Sequence, residues 1–389
     1  MSVRGKVSDL GIPNDRLLLS KTAIAAMAVT FALMGTVAAA YGPLFEQLSR
    51  RFAISVPVAG ATLSIHFTGS LLGVLVSMRL MERISGRASV TLATATLAFG
   101  CAVVAVAPTW PAFLAGVFVI GAAWGSLVIG LNQLIAHSAG ARRSALLTAL
   151  NGAYSAGAVA SPLLIANFGQ THFPLLYIGA AVIAVALIPA AAGIMGRLPI
   201  AGGTAGGRPG VLIGIFVFAI ALYVGTESGT GGWMTSHLES AGLRFATAAA
   251  ATSGFWLALA AGRLLSTLIP ASVPESAIVL GGGSVAVVSL LAAWIGILLP
   301  WPYVITGLAL APVFPTGIVW LARLRPGDAR ATSWLFPAAS VGGIAGPGAI
   351  GLVVARYGVG WAPLVLALVA AGSLSAFWLA RYTTRPARS

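Results

Sequence analysis

Apolar residues run through the chain in twelve long stretches, separated by short polar loops. A helix needs about 20 such residues to cross the hydrocarbon core of a bilayer. In lipid, every backbone polar group must be paired within the structure, which leaves helices or a closed barrel. Stretches this long, rich in Ala, Leu, Gly and Val, predict helices. The first six spans fall at 22–47, 57–80, 88–108, 111–136, 144–168 and 174–196. The second six fall at 210–236, 246–269, 276–299, 301–324, 329–355 and 361–381.

Composition agrees with that reading. Hydrophobic residues make up 58% of the 389 and charged residues 8%, against a soluble domain's usual charged share of about 25%. The net charge of +14 does not point to nucleic acid, because the basic residues form no patch with interleaved aromatics. They mark alternate loops instead. Of the 22 Lys and Arg, only Arg50, Arg51, Arg244 and Arg356 fall on the predicted outer side. The positive-inside rule then puts both termini in the cytoplasm. The Arg50–Arg51 pair runs against the rule and calls for a local partner such as Glu46. The one cysteine, Cys101, lies inside a span, so no disulfide forms within the chain. Residues 1–21 lack an apolar core and a small-residue cleavage site, and read as a cytoplasmic tail.

Residues 198–209, LPIAGGTAGGRP, read as a flexible linker between a six-span bundle at 22–197 and another at 210–381, with a tail at 382–389. One repeat ties the halves together. SAGAVASP at Ser155–Pro162 is matched by SVGGIAGP at Ser340–Pro347, 185 residues later and in the corresponding fifth span.

A duplicated six-helix unit with a central loop resembles the major facilitator superfamily. The loop MRLMERISGRASV is similar to that family's loop signature, with Glu82, Arg83, Gly86 and Arg87 in place. It departs at Met78, where the pattern has glycine, and in having both Ile84 and Ser85 where the pattern has one residue. The resemblance implies a gating role for Glu82, Arg83 and Arg87. YVGTESGTGGW at Tyr223–Trp233, FWLALAAGRL, GLALAPVFPT, GAAWGSLVIGLN and NGAYSAGAVASP resemble the fucose and glucose/galactose permease branch. That branch implies proton-coupled sugar uptake, with solute bound between helices 1, 4, 7 and 10.

Glu227 is the outstanding candidate for chemistry. Of eight acidic residues it alone lies well inside a span, and such carboxylates usually face a cavity and act on ions or substrate. The four glycines of GTESGTGG predict a weakened or broken helix 7 there, a recurrent device near transporter sites. The competing reading is a structural hydrogen bond, or simple hydration near the outer surface. Asn132 inherits a cavity position from the resemblance, and helix–helix glue is its equal alternative. Gln133 and Asn151 read as glue or gate contacts. His66, in span 2, is more often a neutral bonded histidine than a proton relay. Tyr41 and Tyr154 are further candidates for solute contact. Trp233 and Trp256 offer flat faces on which a sugar ring could stack, with packing as the alternative. Arg263, toward the inner end of span 8, reads as a gate residue rather than a substrate contact.

No metal, nucleotide or nucleophile motif occurs in a fitting context, so no cofactor is expected and a proton gradient supplies the energy. The expectation is an all-α membrane protein of twelve helices, not an enzyme, working as a monomer in a bacterial inner membrane. Its partners are protons, lipid and a small solute. Helix 1 has no mid-span acid, with only Thr36 and Tyr41 there and Glu46 near its outer end. That absence leaves coupling to Glu227 alone or suggests a uniporter, and it keeps open a rival, a proton-antiport exporter of drugs or metabolites.

Overall fold

The computed structural model describes residues 18–138, 143–168, 172–195, 210–326, 328 and 331–384. The predicted linker at 198–209 and most of both tails lie outside these residues. Among the described residues, twelve helices are long and apolar enough to span a membrane. The first six are α1 (Lys21–Ala40), α2 (Val56–Leu80), α3 (Gly86–Val106), α4 (Trp110–Ile135), α5 (Ala145–Phe168) and α6 (Phe173–Gly193). The second six are α7 (Val211–Ser240), α8 (Phe245–Leu268), α9 (Glu275–Trp294), α10 (Trp301–Leu324), α11 (Thr332–Tyr357) and α12 (Val359–Thr383). An even number of crossings puts the starts of α1 and α7 and the ends of α6 and α12 on one face, here the terminal face. The opposite face is the distal one.

Local signals explain the helix starts. Ser20 caps α1 by accepting from the Ala23 N–H at 3.1 Å, and Ser85 caps α3 by accepting from Ala88 at 3.2 Å. A two-residue antiparallel pairing of Leu18–Leu19 with Ile194–Met195 ties the start of α1 to the end of α6.

The repeat seen in the sequence becomes a repeated seam. A Cβ at Gly157 of α5 would collide with the Ala32 carbonyl of α1, and one at Gly342 of α11 with the Ala221 carbonyl of α7. Without a hydrophobic drive between helices in lipid, such close backbone approach is what holds them together. Both halves therefore pair their first and fifth helices through glycine at corresponding positions.

Three predicted details need correction. α7 is one continuous helix from Val211 to Ser240, not a broken one. Its glycines serve as contact surfaces: Gly229 faces Ile350, Gly231 faces Trp256 and Gly232 faces Leu63. Each glycine costs about 1 kcal/mol in helix propensity, and that packing offsets it. The interruption lies instead in α10, between Trp301–Leu310 and Val313–Leu324, where Pro312 lacks the N–H that continuity requires. Finally, span 1 ends at Ala40. A 3-10 turn at Gly42–Leu44 and a short helix at Phe45–Phe52 follow.

The apolar core shows how the halves meet. One cluster fills the first half and crosses into the distal part of the second through Trp233, Leu238, Tyr303 and Leu366. The terminal part of the second half forms a separate cluster around Phe216, Ile220, Trp320 and Phe377. The halves are thus joined at the distal face and parted toward the terminal face.

Candidate functional site

Glu227 lies about midway along α7, and Tyr223 precedes it by four residues on the same helical face. The Tyr223 hydroxyl donates to Glu227 Oε2 at 2.5 Å. Phe314, from the second segment of α10, stacks against the Tyr223 ring at 6.1 Å and 27° and so limits its rotation. From α8, Arg263 Nη2 reaches both carboxylate oxygens of Glu227, at 3.3 and 3.5 Å. One nitrogen is shared between two acceptors, a looser arrangement than a two-nitrogen fork. Tyr154 of α5 stands within electrostatic reach of both charges. The site therefore joins α7 and α8 of one half to α5 of the other.

The pair is partly accessible: 36% of the Arg263 side chain and 18% of the Glu227 side chain are exposed. Beyond the pair, the distal end is sealed. Trp233 lies six residues beyond Glu227, about 9 Å along the helix, and is fully buried. Its ring meets Phe45 edge-on at 5.1 Å and covers Gly60, and its Nε1 donates to the Pro347 carbonyl at 3.3 Å. Beside it, Gly42 lies against the backbone of Gly231 and Gly232. The Ser64 hydroxyl donates to the Ile344 carbonyl at 2.7 Å, and Phe67 packs on Gly343.

A pair that spans two helices couples them energetically. Arg263→Met alone is expected to lower the melting temperature, because it leaves a carboxylate without its cation. Adding Glu227→Gln is expected to recover most of that loss. The coupling energy should be about 1–3 kcal/mol, between the small value of an exposed pair and the larger cost of breaking a buried one. Thermal unfolding of the four proteins of the double-mutant cycle in detergent measures it.

Other residues singled out in the sequence fall in several environments. Trp233 sits inside the distal seal rather than against a cavity, so its indole N–H and ring faces are already engaged. Tyr41 is likewise enclosed, its hydroxyl 3.3 Å from His66 Nδ1. Asn132 and Asn151 bond back along their own helices, to the carbonyls of Val128 and Leu147 at 2.7 and 2.8 Å. Gln133 bonds His137 at 3.0 Å. Trp256 covers Gly231, and Trp124 meets His66 and Tyr154 edge-on. The indole N–H groups of Trp124 and Trp256 are buried with no acceptor among the described residues. They are donors a solute could satisfy.

Glu82, Arg83 and Arg87 are exposed and join no ion pair among the described residues. Arg51 finds its partner away from Glu46: it donates to the Ala107 carbonyl at 3.2 Å and lies over the Phe173 ring at 5.1 Å. The sequence reading missed two contacts. It placed Arg263 at a gate, although the lone mid-span acid and a basic residue in the next helix were a signal for pairing. It also passed over Tyr223, whose four-residue spacing from Glu227 was legible.

Comparison with known proteins bears on the fold. Residues 27–305 match the family model described as Major Facilitator Superfamily. The solved nucleoside transporter NupG superposes with a TM-score of 0.77 at 13% identity, over 94% of this chain and all of that one (100%). A D-xylose–proton symporter gives 0.71 at 15% identity, over 92% and 96%. A bacterial homologue of the human lysosomal transporter Spinster, inward-facing and occupied, gives 0.73 at 12% identity, over 94% and 98%. At such identities the likeness shows the fold alone. No curated protein matches the sequence significantly.

Proposed function

Because this chain belongs to the Major Facilitator Superfamily, and so is a transporter rather than an enzyme, we propose that it couples protons to the movement of a small polar solute. The observation that carries this reading is the Glu227–Arg263 pair, half-open beneath a sealed distal face. Intramembrane carboxylates of this kind act on ions or substrate. Glu227 takes a proton, which releases Arg263 and Tyr223 from the carboxylate. Solute then binds between the halves, against Tyr154 and the free indole donors of Trp124 and Trp256. The permease-like phrases around Glu227 and in α8 and α10 favour a solute of sugar size and uptake as the direction. The positive-inside pattern supports a cytoplasmic terminal face, and with it an inward-facing reading of this conformation.

The test is transport into proteoliposomes with an imposed inward proton gradient, using labelled sugars and small polar metabolites. Accumulation that a protonophore abolishes is the expected result. Accumulation indifferent to the protonophore sinks the proton reading. Proton-driven loss of solute from preloaded vesicles, with no uptake, replaces symport by the antiport exporter.

A further inference from the structure

We infer that the solute is a monoanion, such as a sugar acid or small monocarboxylate, carried with one proton so that the loaded carrier gains no net charge. The inference rests on the proton-coupled reading above and narrows its substrate class. Its basis is the charge the site holds before and after Glu227 is protonated.

With Glu227 ionised, the site holds one negative and one positive group and is neutral. Protonating Glu227 leaves the Arg263 guanidinium as the uncompensated charge. The other titratable groups facing it, Tyr223 on α7 and Tyr154 on α5, are phenols and supply no negative charge near neutral pH. From α10 the neighbour is Phe314, which is apolar. A neutral sugar binding to this state would leave an uncompensated cation within the membrane, which is unfavourable. A carboxylate removes that cost.

Geometry supports the same choice. Arg263 reaches Glu227 through a single nitrogen, Nη2, shared between the two carboxylate oxygens. With 36% of the side chain exposed, the guanidinium is open to a second carboxylate. Arginine's planar fork suits that ligand better than it suits a scattered set of hydroxyls. Proton and anion are therefore mutually required. The proton frees the arginine, and the anion stabilises the protonated state by occupying it. One bond set is exchanged for another: Arg263–Glu227 for Arg263–solute, with the proton held on the Glu227 carboxyl.

The experiment uses matched neutral and acidic probes in proteoliposomes: glucose against glucuronate, galactose against galacturonate, and glycerol against glycerate. An inward proton gradient should drive the acids in with about tenfold or greater preference over their neutral partners, a difference of about 1.4 kcal/mol. Potassium and valinomycin, which set the membrane potential, should leave the initial rate unchanged. Arg263→Gln should abolish acid transport and Arg263→Lys should keep part of it. Should Arg263→Gln fold poorly, the Glu227→Gln/Arg263→Gln double variant restores a neutral site. Binding of glucuronate to it, read from tryptophan fluorescence, should be lost. Proton-driven uptake of the neutral members alone overturns the inference and leaves the proton-coupled reading standing. Movement of no acid at all overturns it as well. Acid uptake indifferent to the proton gradient spares the anion site and sinks the coupling.

Discussion

Gly42→Ala is expected to hold the distal face open and to cut net transport by about ten- to a hundredfold. A Cβ at this position would run into the Gly231 carbonyl and the Gly232 backbone of the facing half. Backbone cannot rotate aside as a side-chain end can, so one or both helices must move. Overpacking of this kind costs about 1–3 kcal/mol, and each 1.4 kcal/mol shifts an equilibrium tenfold. The cost falls only on the state in which Gly42 meets α7, because the Gly42–Leu44 turn and α7 belong to different halves. The substitution therefore acts on the balance between states and leaves each half's own packing intact. A cysteine replacing Ser64, whose hydroxyl now bonds the Ile344 carbonyl of the facing half, reports the change with little change of size. It should be slow to react with a membrane-impermeant maleimide from the distal side in the parent and fast in the Gly42→Ala background. The native Cys101 is buried and stays silent. Equal labelling in both backgrounds, with transport intact, would mean that the distal seal does not lie at this contact.

The fold was legible because the bilayer imposes it one segment at a time. Span number and placement follow from hydropathy and length, and the SAGAVASP and SVGGIAGP repeat marked the seams that Gly157 and Gly342 now form. What failed were inferences from local propensity in helix 7. Four glycines there weaken an isolated helix, but inside a bundle they are the surfaces against which Ile350, Trp256 and Leu63 pack. Propensity yields to tertiary contact, whereas the missing N–H of Pro312 cannot be compensated in the same way, and α10 is the helix that breaks.

The candidate site divides along a similar line. Glu227 stood out because charge inside a membrane is costly, a property readable from one residue. Its partners were harder to read because they depend on how α8 and α7 lean together. Trp233 shows the reverse case. A tryptophan near the acid looked like a platform for a sugar ring, yet one face of α7 turns Glu227 toward the opening while its next turns drive Trp233 into the distal seal. Sequence distance from an acid does not say which face of a helix a residue shares with it.

Glu227→Gln is expected to abolish accumulation against a gradient while leaving solute exchange between loaded vesicles within a few-fold of the parent. Glutamine keeps nearly the same shape but carries no charge, so it does not hold Arg263 as the carboxylate does and leaves it to the solute. In the parent, losing the proton lets the carboxylate recapture Arg263, whereas the glutamine variant stays in the form of the protonated carrier. Because the empty variant cannot release a proton to re-form the Glu227–Arg263 pair, its unloaded return slows, whereas the loaded carrier still crosses in both directions. Counterflow and net uptake, measured on one preparation with and without an imposed proton gradient, separate these effects. A variant that still accumulates solute would place the proton on some other group, and loss of counterflow as well would make Glu227 a solute-binding or structural residue rather than the coupling one.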